Sequence, residues 1–251
     1  MKFLNTTKPS LVAMIAAKTS EDAICQITNS LYDGADAFGI QLCHLRHEFQ
    51  TPDELRNIFS HCQGKPIYVT AYRTGENTGY TYEMCLGLLK MAYECGATLL
   101  DIPGDFFGGC PNGMSFDNEV VEKQKALISE LKATGAEVLM SCHHSEFLGE
   151  EEIIRHAKAQ QERGADIIKV VSKCNSEEDI LVHLHIIQRL KKELTKPFLY
   201  LASGTHGRLV RQLGPSFGVS MYLCVDHYTP GSTKFQPKLS STKLIRDNLI
   251  F

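Results

Sequence analysis

Along the 251-residue chain, short apolar runs alternate with longer stretches whose apolar positions recur every three to four residues. The apolar runs read as strands over 11–17, 35–42, 66–72, 97–102, 136–142, 165–171, 197–202 and 220–225. The amphipathic stretches read as helices over 21–31, 51–62, 82–95, 119–133, 150–163, 176–194, 207–213 and 242–249. Punctuation agrees with this division. Thr19-Ser20, Thr51-Pro52 and Ser176 stand where helices need an N-terminal cap, and Gly34, Gly96 and Gly135 stand where they need a stop. Strands of near-continuous apolar character are those of a parallel sheet covered on both faces. Strand–helix units repeated at about 30 residues predict βαβ connections. Eight of them fit one closed (β/α)8 TIM barrel, a single domain over residues 1–251. A doubly wound open sheet is the alternative, but no GxGxxG follows the first strand.

Composition narrows the class without changing that picture. Hydrophobic residues make up 43% and charged residues 22%, enough for a sizeable core. A net charge of -3 supplies no field for a polyanion, so nucleic acid is not expected as a partner. No apolar run approaches the roughly 18 residues that span a bilayer. The polar start, residues 1–10, reads as lacking a signal peptide, which places the protein in the cytoplasm. Nine cysteines are scattered singly with no CxxC pair, which suits free thiols in a reducing compartment.

Candidate chemistry collects at the C-terminal ends of the predicted strands, where barrels of this kind carry their active sites. Lys169 lies inside the apolar, β-branched run Ala165-Asp166-Ile167-Ile168-Lys169-Val170-Val171. Desolvation favours its neutral amine, a nucleophile able to form a Schiff base with a carbonyl. His143 closes the neighbouring fifth strand and titrates in the range that imine formation and dehydration need. The His143-His144 pair could instead hold a metal, but carboxylates are sparse beside it and no metal is expected. Arg73 and Arg208 stand at strand ends where a guanidinium can clamp a carboxylate, and Glu76 can orient a histidine or pair with Arg73. Pro230-Gly231 opens a long loop whose Ser232 and Gln236 could fold over a ligand.

At these residues the chain resembles the type I (class I, Schiff-base) 3-dehydroquinate dehydratases. The matching stretches are Thr70-Ala71-Tyr72-Arg73-Thr74, Met140-Ser141-Cys142-His143, Ala165-Asp166-Ile167-Ile168-Lys169, Gly207-Arg208-Leu209 and Thr229-Pro230-Gly231. The resemblance implies a (β/α)8 barrel, commonly dimeric, that needs no metal or organic cofactor. It implies that Lys169 forms the imine, that His143 moves protons, and that Glu76 falls near the family's histidine-partnering glutamate. Arg208 is then the carboxylate anchor, Arg73 a ring-oxygen contact, and Ser232 or Gln236 the contact from the covering loop. The expected activity is elimination of water from a cyclic β-hydroxy ketone carboxylate, 3-dehydroquinate to 3-dehydroshikimate.

The family's second strand carries Glu-x-Arg-x-Asp, where this chain has Gly39, Gln41 and Cys43. A lysine–histidine pair is thus kept while charged groups around it are lost, which marks a divergent member. Lost partners for a substrate hydroxyl shift discrimination by orders of magnitude. The alternatives are therefore a Schiff-base aldolase, a dehydratase of a related oxo-acid, and a non-catalytic barrel that binds a carboxylated metabolite.

Overall fold

The computed structural model describes residues 3–4, 8–110 and 113–249; residues 1–2 and 5–7 of the polar start lie outside them. Strands and helices alternate in the order β1 (Ser10–Ile15), α1 (Ser20–Tyr32), β2 (Ala37–Gln41), α2 (Pro52–Ser60), β3 (Ile67–Thr70), α3 (Tyr82–Glu94), β4 (Leu99–Pro103), α4 (Asn118–Ala133), β5 (Glu137–His143), α5 (Glu150–Glu162), β6 (Ile167–Lys173), α6 (Glu177–Glu193), β7 (Phe198–Ser203), α7 (Gly207–Phe217), β8 (Met221–Cys224) and α8 (Leu239–Asp247). The strands form one sheet in the order β7-β6-β5-β4-β3-β2-β1-β8, and the registered neighbours are parallel. From β1 to β7 each strand lies beside its neighbours in the chain, and β8 lies beside β1. That is the strand order of a (β/α)8 barrel, the fold expected from the alternation. No helix among the described residues is long and apolar enough to cross a membrane.

The helix starts follow from their caps. The Thr19 side chain accepts the Asp22 amide, Thr51 accepts that of Glu54, and Ser176 forms a reciprocal box with Asp179. Each such cap is worth about 1 kcal/mol. Two helices depart from expectation. α7 continues past Gly214-Pro215 to Phe217, because both residues are buried and tertiary packing outweighs the punctuation. α8 begins at Leu239 rather than three residues later, and that leucine is fully buried. β3 stops at Thr70, so Tyr72 and Arg73 follow the strand instead of ending it.

Contacts divide the chain into two compact units, chiefly Ser10–Asp101 with Leu223–Asn248, and Ile102–Tyr222. In the first unit, Met14, Gly39 and Tyr68 are register partners across β1, β2 and β3. A Cβ on Gly39 would collide with the Met14 thioether and press on the Tyr68 ring. Gly39 is therefore matched to the methionine filling the space. In the second unit, the fully buried Gln160 of α5 clamps β6 from behind. Its Oε1 accepts the Lys169 amide at 2.9 Å and its Nε2 donates to the Lys169 carbonyl at 3.0 Å. Buried Arg163, capping the end of α5, donates to the Ser115 carbonyl and to Gln124, whose own amide holds the Gly104 and Phe106 carbonyls. This pins the segment that follows β4.

Candidate active site

The second unit sets the lysine and histidine of the expected chemistry on adjacent strands. Side chains alternate along a strand and register partners share a face. Ser141 of β5 pairs with Lys169 of β6, and His143 pairs with Val171. Cys142 and His144 reach the α5 side chains Gln160 and His156, so their side of β5 is the helix-covered one. Ser141, His143 and Lys169 therefore share the opposite face. From strand spacing and rise, the Cα atoms of His143 and Lys169 lie about 8 Å apart, within joint reach of one small ligand. Lys169 is only 4% exposed, whereas His143 at the strand end is exposed. Gly113, at φ 61°, lies against the His143 backbone, where a Cβ would come within 3.0 Å of its carbonyl oxygen.

His144 does not face the lysine. Its Nε2 lies 3.2 Å from Nδ1 of His156, and burial lowers the pKa of both rings, that of His156 to about 4. Arg208 is the second residue of α7 and is exposed at the start of that helix. Nearby Arg211 is buried and donates from Nε to the Ala202 carbonyl at 2.7 Å. It supports the end of β7.

The first unit holds the remaining predicted residues. Arg73 is exposed, donates from Nε to the Tyr80 carbonyl at 2.7 Å, and lies 4.6 Å from the Tyr82 ring centroid. Glu76 is half-buried in a 3₁₀ turn, and its carbonyl accepts from His47 Nε2 at 2.7 Å. Within this unit its charge acts on His44, whose pKa burial lowers and Glu76 partly restores.

Ser232 is engaged in its own turn, its Oγ accepting the Thr229 amide at 2.8 Å and donating to the Thr229 carbonyl at 2.9 Å. Gln236 is 7% exposed and its Oε1 has no hydrogen-bond partner among the described residues. Of the two, Gln236 is the loop residue with an uncommitted polar atom. Beside this loop a cleft of about 440 Å³ is lined by Ala16, Lys18, His44, His227 and Thr229-Pro230-Gly231.

A further polar group joins β3, the segment just after it, and β4. Asp101, 1% exposed, accepts hydrogen bonds from Tyr68 and, at 2.6 Å, from Tyr72. Burial and the Asp101 charge hold the Tyr68 phenol protonated, far above its ordinary range. The carboxylate and its two phenols come from separate segments, so no local spacing in the sequence joins them.

Comparison with known proteins shows the family. The family model described as Type I 3-dehydroquinase matches residues 11–225. A 3-dehydroquinate dehydratase of Klebsiella pneumoniae subsp. pneumoniae is 31% identical over 99 residues, 39% of this chain and 39% of that protein. The match thus spans well under half the length of that curated relative. The crystal structure of 3-dehydroquinate dehydratase from Geobacillus kaustophilus HTA426 superposes with a TM-score of 0.84 at 16% identity, covering 98% of this chain and 95% of that one. The type I 3-dehydroquinate dehydratase from Clostridium difficile, described with covalent modified comenic acid, gives 0.80 at 19% identity, covering 97% and 93%. These two likenesses establish the shared barrel fold. With the family model matched across most of its length, the chain belongs to the type I 3-dehydroquinase family.

Proposed function

We propose that this chain is a carbon–oxygen lyase that converts 3-dehydroquinate to 3-dehydroshikimate through a Schiff base on Lys169. The observation that carries the reading is the buried Lys169 on one strand face with His143 on the adjacent strand. The amine adds to the substrate ketone, His143 moves the protons of carbinolamine formation and dehydration, and water leaves as the imine forms. The iminium then withdraws electrons from the α-carbon, which loses a proton, and the β-hydroxyl leaves as a second water. Hydrolysis of the imine frees the enone and restores the lysine. Splitting one hard elimination into such steps is what covalent catalysis supplies. The description of the Clostridium difficile relative with covalent modified comenic acid supports covalent chemistry in this fold.

By the family pattern Arg208 anchors the carboxylate, Arg73 serves ring oxygens, Glu76 orients a histidine, and Gln236 rather than Ser232 covers the ligand. The same reading makes the protein a single-domain cytoplasmic homodimer acting on a small carboxylated ketone. It uses no cofactor in the reaction and binds neither nucleic acid nor membrane.

One observation favours a related oxo-acid as substrate: Met14 occupies the space beside Gly39 where the family places a charged group. The test is turnover. Purified protein incubated with 3-dehydroquinate is expected to generate the conjugated enone, followed by its ultraviolet absorbance. Lys169→Ala is expected to abolish this. Absence of turnover of 3-dehydroquinate with turnover of another β-hydroxy oxo-acid would move the assignment to the second substrate, and absence with all would refute the lyase.

A further inference from the structure

On the helix-covered face of β5, away from Lys169, Cys142 and His144 meet His156 of α5 in a buried cluster. The three are 2%, 8% and 1% exposed. Their ligand atoms all lie within 4.8 Å of one another. His144 Nε2 and His156 Nδ1 are 3.2 Å apart, and Cys142 Sγ is 4.0 Å from the same His156 Nδ1. A tetrahedral zinc ion with its usual bond lengths places two nitrogens about 3.3 Å apart and a nitrogen and sulfur about 3.6 Å apart. The nitrogen–nitrogen edge therefore matches before any ion enters, whereas the Cys142–His156 edge, at 4.0 Å, must close slightly on binding.

We propose that Cys142, His144 and His156 form a site for a borderline-soft divalent metal ion of the zinc class. A set of one thiolate and two imidazoles is the donor chemistry such ions select. Surrounding groups are those that a metal site uses to fix its ligands. Glu152 Oε1 lies 3.2 Å from His156 Nε2, so the outer ring nitrogen donates to a carboxylate and the Nδ1 lone pair is left for the ion. Gln160 donates to the Cys142 sulfur at 3.2 Å, which fixes the position of that sulfur. On binding, the Cys142 thiol gives up one proton as the S–metal bond forms. The proton between the two rings moves to the outer nitrogen of His144. The dication and the thiolate leave one positive charge, beside which stands the Glu152 carboxylate, itself ion-paired with Arg155, with water in the fourth position.

Because Gln160 touches both Cys142 and the backbone of Lys169, the ion would stiffen the module that presents the lysine. The site lies on the opposite strand face from Lys169 and takes no part in the imine chemistry.

The test uses full-length protein stripped with chelator and titrated with Co²⁺, then with Zn²⁺. One equivalent of cobalt is expected, with a sulfur-to-cobalt charge-transfer band in the near ultraviolet and visible d–d bands of tetrahedral intensity. X-ray absorption at the zinc edge of wild-type protein is expected to read one sulfur and two imidazole nitrogens. Cys142→Ser is expected to remove the charge-transfer band. Glu152→Ala, at a partly exposed position, is expected to weaken binding about 10–100-fold. A first shell without sulfur, a charge-transfer band that survives Cys142→Ser, or no cobalt retained after desalting would overturn the proposal. None of these readouts depends on turnover, so failure here is distinct from failure of the lyase reading.

Discussion

Replacing Gln160 by leucine tests the clamp behind the catalytic strand. The side chain is fully buried, and its amide makes two hydrogen bonds to the Lys169 backbone and a third to the Cys142 sulfur. Leucine matches its size but leaves the Lys169 N–H and C=O without these partners. An orphaned buried polar group costs about 1–3 kcal/mol, so the two together cost about 2–6 kcal/mol. The added apolar burial returns about 1–2 kcal/mol. The net loss at mid-range is about 2–3 kcal/mol, a large part of a typical stability of about 5–15 kcal/mol. In urea unfolding followed by far-ultraviolet circular dichroism, a slope near 3 kcal/mol/M turns this into a midpoint about 1 M lower, with the slope itself unchanged. A midpoint shift equivalent to less than about 0.5 kcal/mol, the range of an ordinary surface substitution, would refute the clamp.

Gly39→Ala is expected to destabilise by about 1–3 kcal/mol through overpacking against Met14. Combined with Met14→Ala, the loss should fall short of the sum by at least about 1 kcal/mol, and strict additivity in urea unfolding would contradict the contact. Buried His183 of α6 accepts or donates at 2.7 Å with the Tyr200 hydroxyl, and desolvation holds its pKa below the ordinary 6.5, with the Lys173 carbonyl and Asp179 opposing. The unfolded chain thus binds a proton that the fold resists, so stability should fall as pH drops below 6.5 and be unaffected by this group above it. His183→Asn should show a shallower acid loss than the parent in denaturant titrations at stepped pH, and parallel curves would exclude the assignment. Gln236→Ala is expected to lower kcat/KM about tenfold, the effect of one hydrogen bond, and Ser232→Ala less. Equal losses in steady-state kinetics would remove the distinction drawn from their hydrogen bonding.

The periodicity of apolar positions carried the fold, because each strand is buried on both faces and each helix on one. Thr19, Thr51 and Ser176 cap the helices they precede in the sequence. Legibility failed where distant packing decided. Pro215 is an interruption in sequence, yet buried Gly214 and Pro215 let α7 run on to Phe217. For the site, the Ser-x-His and Ala-Asp-x-x-Lys stretches identified His143 and Lys169, and strand alternation put them on one face. Which of His143 and His144 faces the lysine required seeing that Cys142 and His144 touch α5. The pairing of Asp101 with Tyr68 and Tyr72, like the approach of His156 to His144, joins residues from different elements. No local spacing encodes such contacts. The loss of charge at Gly39 was plain in the sequence, but its match to Met14 followed only from the register of β1 and β2.

The central claim is covalent: a substrate ketone is held as an imine on Lys169. The direct measurement is borohydride reduction of the protein in the presence of 3-dehydroquinate and related keto acids, followed by peptide mapping in a mass spectrometer. The account predicts a single reduced adduct on the peptide containing Lys169, absent without borohydride and absent in Lys169→Ala. An unmodified Lys169 peptide across the whole panel, or an adduct carried equally by surface lysines, would contradict it.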